Sequence, residues 1–318
     1  MVKDVAGNIW VSRSQAGVVS LLVLENGRVT AQDDIFTGLR NPHGLAIDPQ
    51  DPYMLYIAQE DGVYNVPLYT PNRGVPEKLV DLPTGGRHTT RSLLVGADGR
   101  LYISIGSSCD VCAEQNQERA AIYVMNKDGS GFQPYATGLR NAVFIALQPQ
   151  TGAIFATEMG RDFLGDNLPP DEINLIKEGK NYGWPHCYGQ QVVDIKFDAG
   201  ASCQNTEPAL IDLPAHSAPL GLGFFDGSWG DDLSYNLLVA YHGSWNRKTP
   251  TGYKVVIFAM DKNGEVLNAE PRDFIAGWLT VNNQALGRPT GILIDNAGKK
   301  IYIADDKAGV IYRVEKID

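Results

Sequence analysis

Gly38-Leu39-Arg40-Asn41 and Gly138-Leu139-Arg140-Asn141 are one tetrapeptide repeated one hundred positions apart, and Gly86-Arg87-His88-Thr89-Thr90-Arg91 stands between them. An apolar run follows each of the three. A related turn, Gly287-Arg288-Pro289-Thr290-Gly291, returns near the end of the chain. Self-similarity with a period of about fifty residues marks stacked supersecondary units. In a ring of such units His88, Arg140 and Arg288 hold equivalent places and face one centre.

Between these turns the chain reads as short strands. One unit runs through His43–Asp48, Met54–Ala58, Gly62–Val66 and Lys78–Asp81. Four short strands per unit make the blade of a propeller. The next unit starts at Arg91–Val95, turns at Asp98-Gly99, a strong hairpin signal, and continues through Leu101–Ile105 and Ala121–Met125. Further units begin at Ala142, near Leu220 and at Thr290, and Asn8–Ser12 adds the first of six. Helical periodicity is nearly absent. The expectation is an all-β chain, a six-bladed β-propeller with long inter-strand loops, forming one domain over residues 1–318.

Both ends look incomplete. The last unit has three strands and the first opens on Met1-Val2-Lys3-Asp4, which reads as the tail of an innermost strand. An open ring leaves unpaired strand edges. The chain is therefore expected to begin inside a longer sequence, with a strand and a secretion signal ahead of Met1. Insertions at Met159–Asp171 and Lys177–Pro219 are long enough to suggest functional loops.

Bulk properties exclude some classes. A formal charge of −10 argues against a phosphate-backbone partner, which needs clustered Lys and Arg. With 43% hydrophobic residues, no apolar run nears the roughly 20 residues of a membrane-spanning helix. The four cysteines, Cys109, Cys112, Cys187 and Cys203, suit two disulfides and an oxidising compartment, with free thiols or half a zinc site as the alternatives. GxGxxG, GxxxxGK[ST] and GxSxG motifs are absent, so dinucleotide, P-loop and α/β-hydrolase readings fall away.

The chemistry-bearing residues cluster at turns. His88, just before an inner strand, is placed to act as a general base or to be an ordinary loop histidine. Arg140 and Arg288 in equivalent turns would either clamp an anionic ligand or pair with Asp residues of neighbouring blades. Glu158–Asp166, followed by Asp171-Glu172, offers oxygen donors for a hard cation, or a merely solvated acidic loop. Asn181–Pro185 and Gly243–Arg247 set aromatics beside polar groups, which suits a sugar or flat cofactor as well as blade packing.

Taken in order, Gly106–Cys112, Gly138–Asn141, Gly160-Arg161-Asp162, Leu168–Glu172, Asn181–Pro185, His216–Gly221, His242–Arg247 and Gly287-Arg288-Pro289 resemble the PQQ-dependent sugar dehydrogenases related to soluble glucose, aldose sugar and sorbosone dehydrogenases. The resemblance spans nearly the whole chain. It implies a propeller that binds pyrroloquinoline quinone (PQQ) and Ca2+ at its mouth. His88 matches the catalytic base, and Arg140 and Asn141 the residues that hold the cofactor and polarise its reactive carbonyl. Arg288 matches a clamp on a cofactor carboxylate, Asn246 or Arg247 falls where the family places another basic contact, and the carbonyls of Gly160 and Arg161 match the calcium ligands. Arg87 departs from the pattern, which has glycine directly before the histidine.

The implied partners are a small sugar substrate and a quinone or cytochrome electron acceptor, with no nucleic acid and no membrane span. A monomer or homodimer in the periplasm or outside the cell is expected. Two rival readings stand beside it: a metal-dependent lactonase, which needs carboxylates aimed down the axis, and a non-catalytic propeller that binds glycan or protein.

Overall fold

The structure is a computed structural model that describes residues 1–25, 27–69 and 74–316. Among the described residues its strands form six main sheets in chain order, the blades of a propeller, and one separate two-stranded hairpin. Blade 1 comprises Val2–Lys3, Ile9–Arg13, Val18–Glu25 and Arg28–Phe36. Blade 2 comprises Leu45–Asp48, Asp51–Gln59, Gly62–Pro67 and Glu77–Asp81. Blade 3 runs through Leu93–Val95, Leu101–Ile105, Ala121–Met125 and Gln133–Thr137. Blade 4 takes Ala142–Leu147, Ile154–Glu158, Asp171–Ile176 and, after a long excursion, Ile211–Leu213. Blade 5 holds Pro219–Phe224, Leu237–Tyr241, Lys254–Met260 and Val266–Ile275. Blade 6 has Pro289–Asp295, Lys300–Asp305 and Val310–Glu315. The first strands of successive blades touch one another around the axis.

Blade stacking explains the apolar strands. Each middle strand is covered on both faces by neighbouring blades, so Leu101–Ile105 and Leu237–Tyr241 are buried at every residue. A half-exposed sheet would alternate. Separate apolar cores fill the spaces between successive blades: Tyr56 and Val63 meet Leu101 and Ile103, for example, and Phe155 and Ile173 meet Leu222 and Val239. The seam that closes the ring, between blades 6 and 1, is thin. Among the described residues its buried members are Ile9, Leu22 and Tyr302, backed by partly buried neighbours and by a Lys3–Asp295 ion pair at 2.6 Å.

Val2 and Lys3 pair with Trp10 and Ile9 as the short inner strand of blade 1, and blade 6 has three strands. The second insertion is more ordered than a loop. Lys180–Asn181 adds in parallel to the outer strand of blade 3, Cys187–Tyr188 and Val192–Val193 form a hairpin, and Ile211–Leu213 completes blade 4. That segment therefore straps two blades together. The cysteines form the disulfides Cys109–Cys112 and Cys187–Cys203 and no thiol is free, which settles the alternatives. Among the described residues no helix is long and apolar enough to cross a membrane.

His43 lies against the edge of Phe144, ring centres 5.0 Å apart, and its Nδ1 meets the Arg91 carbonyl at 3.2 Å. Burial pushes its pKa down from 6.5 to about 4. Between those values the unfolded chain takes up a proton that the native ring refuses, so stability falls as pH drops from 6.5 towards 4. His43→Gln should flatten the pH dependence of urea unfolding in that window, and an unchanged slope would contradict the assignment. The thin seam makes a second expectation: amides of Lys300–Asp305 should exchange with deuterium sooner than those of Leu237–Tyr241, although both are middle strands.

Candidate active site

The turns that precede the inner strands of blades 3 and 4 meet over one glycine. A Cβ on Gly106 would stand 2.6 Å from the Cβ of His88 and 2.8 Å from Oδ1 of Asn141, so only glycine lets these side chains approach. The His88 turn is fastened to the strand end opposite: Arg87 N donates to the Ser108 carbonyl at 2.8 Å and His88 N to the Ser107 carbonyl at 3.3 Å. The ring continues the same contact, its Nδ1 lying 2.8 Å from Ser107 Oγ. Burial first, then the charges of Arg140 and Arg87, push the His88 pKa from 6.5 down to about 3. The imidazole is neutral at physiological pH.

Arg140 is buried, and three acceptors hold it: the Asp110 carbonyl at 2.9 Å, Asp110 Oδ1 at 2.7 Å and the Met159 carbonyl at 3.1 Å. The alternative in which an arginine pairs with an aspartate of the neighbouring blade thus holds for Arg140. Asp110 sits inside the Cys109–Cys112 disulfide loop. Burial opposes its charge, but the Asp162 N–H and the Arg140 and Arg87 guanidiniums outweigh that and lower its pKa. The Asn141 N–H donates to Glu158 Oε1 at 2.9 Å.

Gly160 and Arg161 follow in the first insertion. The Gly160 N–H donates to Asp171 Oδ1 at 2.9 Å and the Arg161 guanidinium pairs with Asp194 at 2.9 Å. Among the described residues neither carbonyl accepts a hydrogen bond. They border a cavity of about 30 Å³ that Glu158, Glu172 and Asp194 also line. Burial, then the proximity of Glu172, drives the Glu158 pKa well above its ordinary value, and burial raises Glu172 to about 7. Oε2 of Glu158 is buried with no partner among the described residues. Clustered buried carboxylates of which Glu158 and Glu172 have no ion-pair partner among the described residues suit a hard cation.

Asp162 links this cluster to blade 5. It pairs with Arg87, accepts from Asn246 Nδ2 at 2.7 Å, and its N–H donates to Asp110 Oδ1 at 3.0 Å. Beyond Asn246 opens a cavity of about 520 Å³ lined by Arg247, Arg288, His242, Trp245 and Asp306. Arg288 donates from Nε to the His242 carbonyl at 3.1 Å, reaches the Gly243 and Ser244 carbonyls from Nη2, and lies 5.3 Å from the Tyr253 ring centre. Arg247 donates to the Ala215 carbonyl at 3.1 Å and to Asn167 Oδ1 at 3.0 Å. Neither has a carboxylate partner among the described residues.

The residues singled out from sequence thus fall into two adjoining groups. His88 and Asn141 meet over Gly106, Arg140 lines the small cavity with Gly160 and Arg161, Asn246 reaches Asp162, and Arg247 and Arg288 line the second cavity. Ser107, Asp110, Asp162 and the His242–Asp306 pair, at 3.0 Å, escaped notice as individual site residues. Ser107, Asp110, Asp162 and His242 all lie within quoted motifs, so their neighbours were the available signal.

These features define a six-bladed propeller with one arginine-lined cavity and one small acid-lined cavity. The chain belongs to the TrAA12-like family, whose profile matches residues 1–317. It is 35% identical to an uncharacterized protein of Borreliella burgdorferi over 72% of this chain and 62% of that one. It is 25% identical to a pyrroloquinoline quinone-dependent pyranose dehydrogenase of Coprinopsis cinerea over 99% of this chain, and spans 51% of that protein's length. A calcium structure of the Trichoderma reesei carbohydrate-active family AA12 protein superposes with a TM-score of 0.82 at 22% identity, covering 98% of this chain and 91% of that one.

The depressed pKa of His88 is open to direct test. In a titration followed by nuclear magnetic resonance its ring should stay neutral from pH 8 to 4, and Arg87→Gly should move the midpoint upward by removing one repelling charge. A midpoint at the ordinary 6.5 would contradict the partly buried, arginine-flanked setting.

Proposed function

We propose that the protein is a PQQ- and calcium-dependent dehydrogenase that oxidises an aldose or related aldehyde sugar, with His88 as general base. The observation that carries this reading is a neutral, partly buried imidazole set beside Arg140 and Asn141 at the mouth of a propeller. Family membership supports it, as does the name of the Coprinopsis relative. The calcium structure of the Trichoderma protein supports the metal.

The residues present fit both groups. Arg247 and Arg288 are met only by neutral carbonyl and amide oxygens, and ligand carboxylates are stronger partners for guanidinium. Oδ1 of Asn246 is buried and has no donor among the described residues. The Gly160 and Arg161 carbonyls, with the buried Glu158 and Glu172 carboxylates, make an all-oxygen set for calcium. When bound, the quinone supplies a hydride acceptor and the metal a Lewis acid.

His88 takes the proton of the anomeric hydroxyl while the carbon beneath it loses hydride, which converts the aldose to its lactone. Arg140, already fixed by three acceptors, presents its charge without rearranging, the condition under which such a group stabilises developing negative charge. The paired electrons leave to a quinone or cytochrome acceptor. The two disulfides favour the periplasm or the cell exterior.

Addition of PQQ with Ca2+ to the purified protein should produce dye reduction with one or more aldoses. His88→Ala should lower turnover by about 10²–10⁴ with cofactor binding retained. Arg288→Ala should weaken PQQ binding by about 10–100-fold, the scale of hydrogen bonds to a charged group. No response to PQQ would favour a non-catalytic binding propeller, and full turnover in the histidine variant would remove the base.

A further inference from the structure

Ser107 has one hydroxyl hydrogen and two neighbours that compete for it. Its Oγ lies 2.7 Å from the Cys109 carbonyl and 2.8 Å from His88 Nδ1. A carbonyl oxygen only accepts, and two oxygens at this separation need a hydrogen between them. The hydroxyl hydrogen therefore points to Cys109, and the imidazole meets a lone pair. Nδ1 must supply the hydrogen of the second bond.

Little in the surroundings can reverse this order. Ser107 is 0% exposed, so no solvent molecule can take over either contact. The Cys109–Cys112 disulfide anchors the carbonyl, and the backbone bonds from Arg87 and His88 to Ser108 and Ser107 hold the ring against the hydroxyl. Asp110, inside the same disulfide loop, grips Arg140. One covalently closed loop thus orients both groups.

We infer that Ser107 is a positioning residue that holds His88 in the Nδ1–H tautomer, which leaves Nε2 as the bare nitrogen able to receive a proton. A neutral imidazole carries a single N–H, so fixing one nitrogen decides the other. The depressed pKa of His88 agrees, since it keeps the second nitrogen unprotonated near neutral pH. The catalytic use of Nε2 rests on the proposed function, whereas the tautomer itself does not.

The test begins without cofactor. In protein labelled with 15N-histidine, long-range 1H–15N spectra near neutral pH should show a His88 signal, assigned by its loss in His88→Gln, with Nδ1 protonated and Nε2 bare. Ser107→Ala should give a mixture of tautomers, and Ser107→Thr, which keeps the hydroxyl, should restore the single form. With PQQ and Ca2+ present, Ser107→Ala should lower kcat about tenfold, the scale of one lost hydrogen bond, at unchanged sugar KM. Ser107→Thr should recover the rate.

An Nε2–H tautomer in the unmodified protein would overturn the inference, as would a spectrum unaffected by Ser107→Ala. A tautomer that follows Ser107 in a protein whose His88→Ala variant turns over normally would uphold the positioning role and remove the base.

Discussion

Inter-blade packing governs this molecule. Because each middle strand is covered on both faces, its residues must be apolar or internally satisfied, as Thr157 is by donating its hydroxyl to the Leu220 carbonyl at 2.7 Å. Charged groups are driven to the strand ends. The turns leading into the inner strands are therefore where chemistry can be placed, and the ring brings turns from separate blades to one mouth. The thin seam between blades 6 and 1 matters for the same reason: it holds the ring closed and the mouth in register.

Burying a guanidinium at the mouth requires a rigid counter-charge, since an unpaired buried ion is strongly destabilising. Arg140 has one in Asp110, held within a disulfide-closed loop. The same pair lies beside His88, whose ring is kept neutral by burial and by two nearby arginines. Arg87 is paired with Asp162, and Asp162 in turn reaches Asn246 on blade 5. The network therefore crosses the mouth and ties three blades together.

The insertions after the second and third strands of blade 4 add the other half of the site. One supplies Gly160, Arg161 and Asp162, and the other the strap against blade 3 and the Cys187–Cys203 bridge. Between them Glu158 and Glu172 are buried close together, an arrangement that favours protonation or a bound cation. Arg288 waits across the mouth among neutral acceptors, so its charge is available to an anion.

Much of the fold was legible in the residues. The repeated Gly-Leu-Arg-Asn turn, the Asp98-Gly99 hairpin and the run Leu101–Ile105 report local preferences and strand burial, which a one-dimensional pattern carries. Equivalent positions in the repeat likewise put His88, Arg140 and Arg288 in turns that lead into inner strands. The strand role of Lys180–Asn181 was not legible, because its partner Ala136-Thr137 lies some forty residues away and two polar residues carry no strand signal of their own. Which arginine is neutralised, and by what, was equally hidden. Asp110 serves Arg140 while Arg288 has only carbonyls, and spacing says nothing about where a buried charge finds its partner. Sequence alone determined the blades and the turns that face the axis; the tertiary structure decided the pairing and protonation of the groups there, since both depend on distances between residues that only folding brings together.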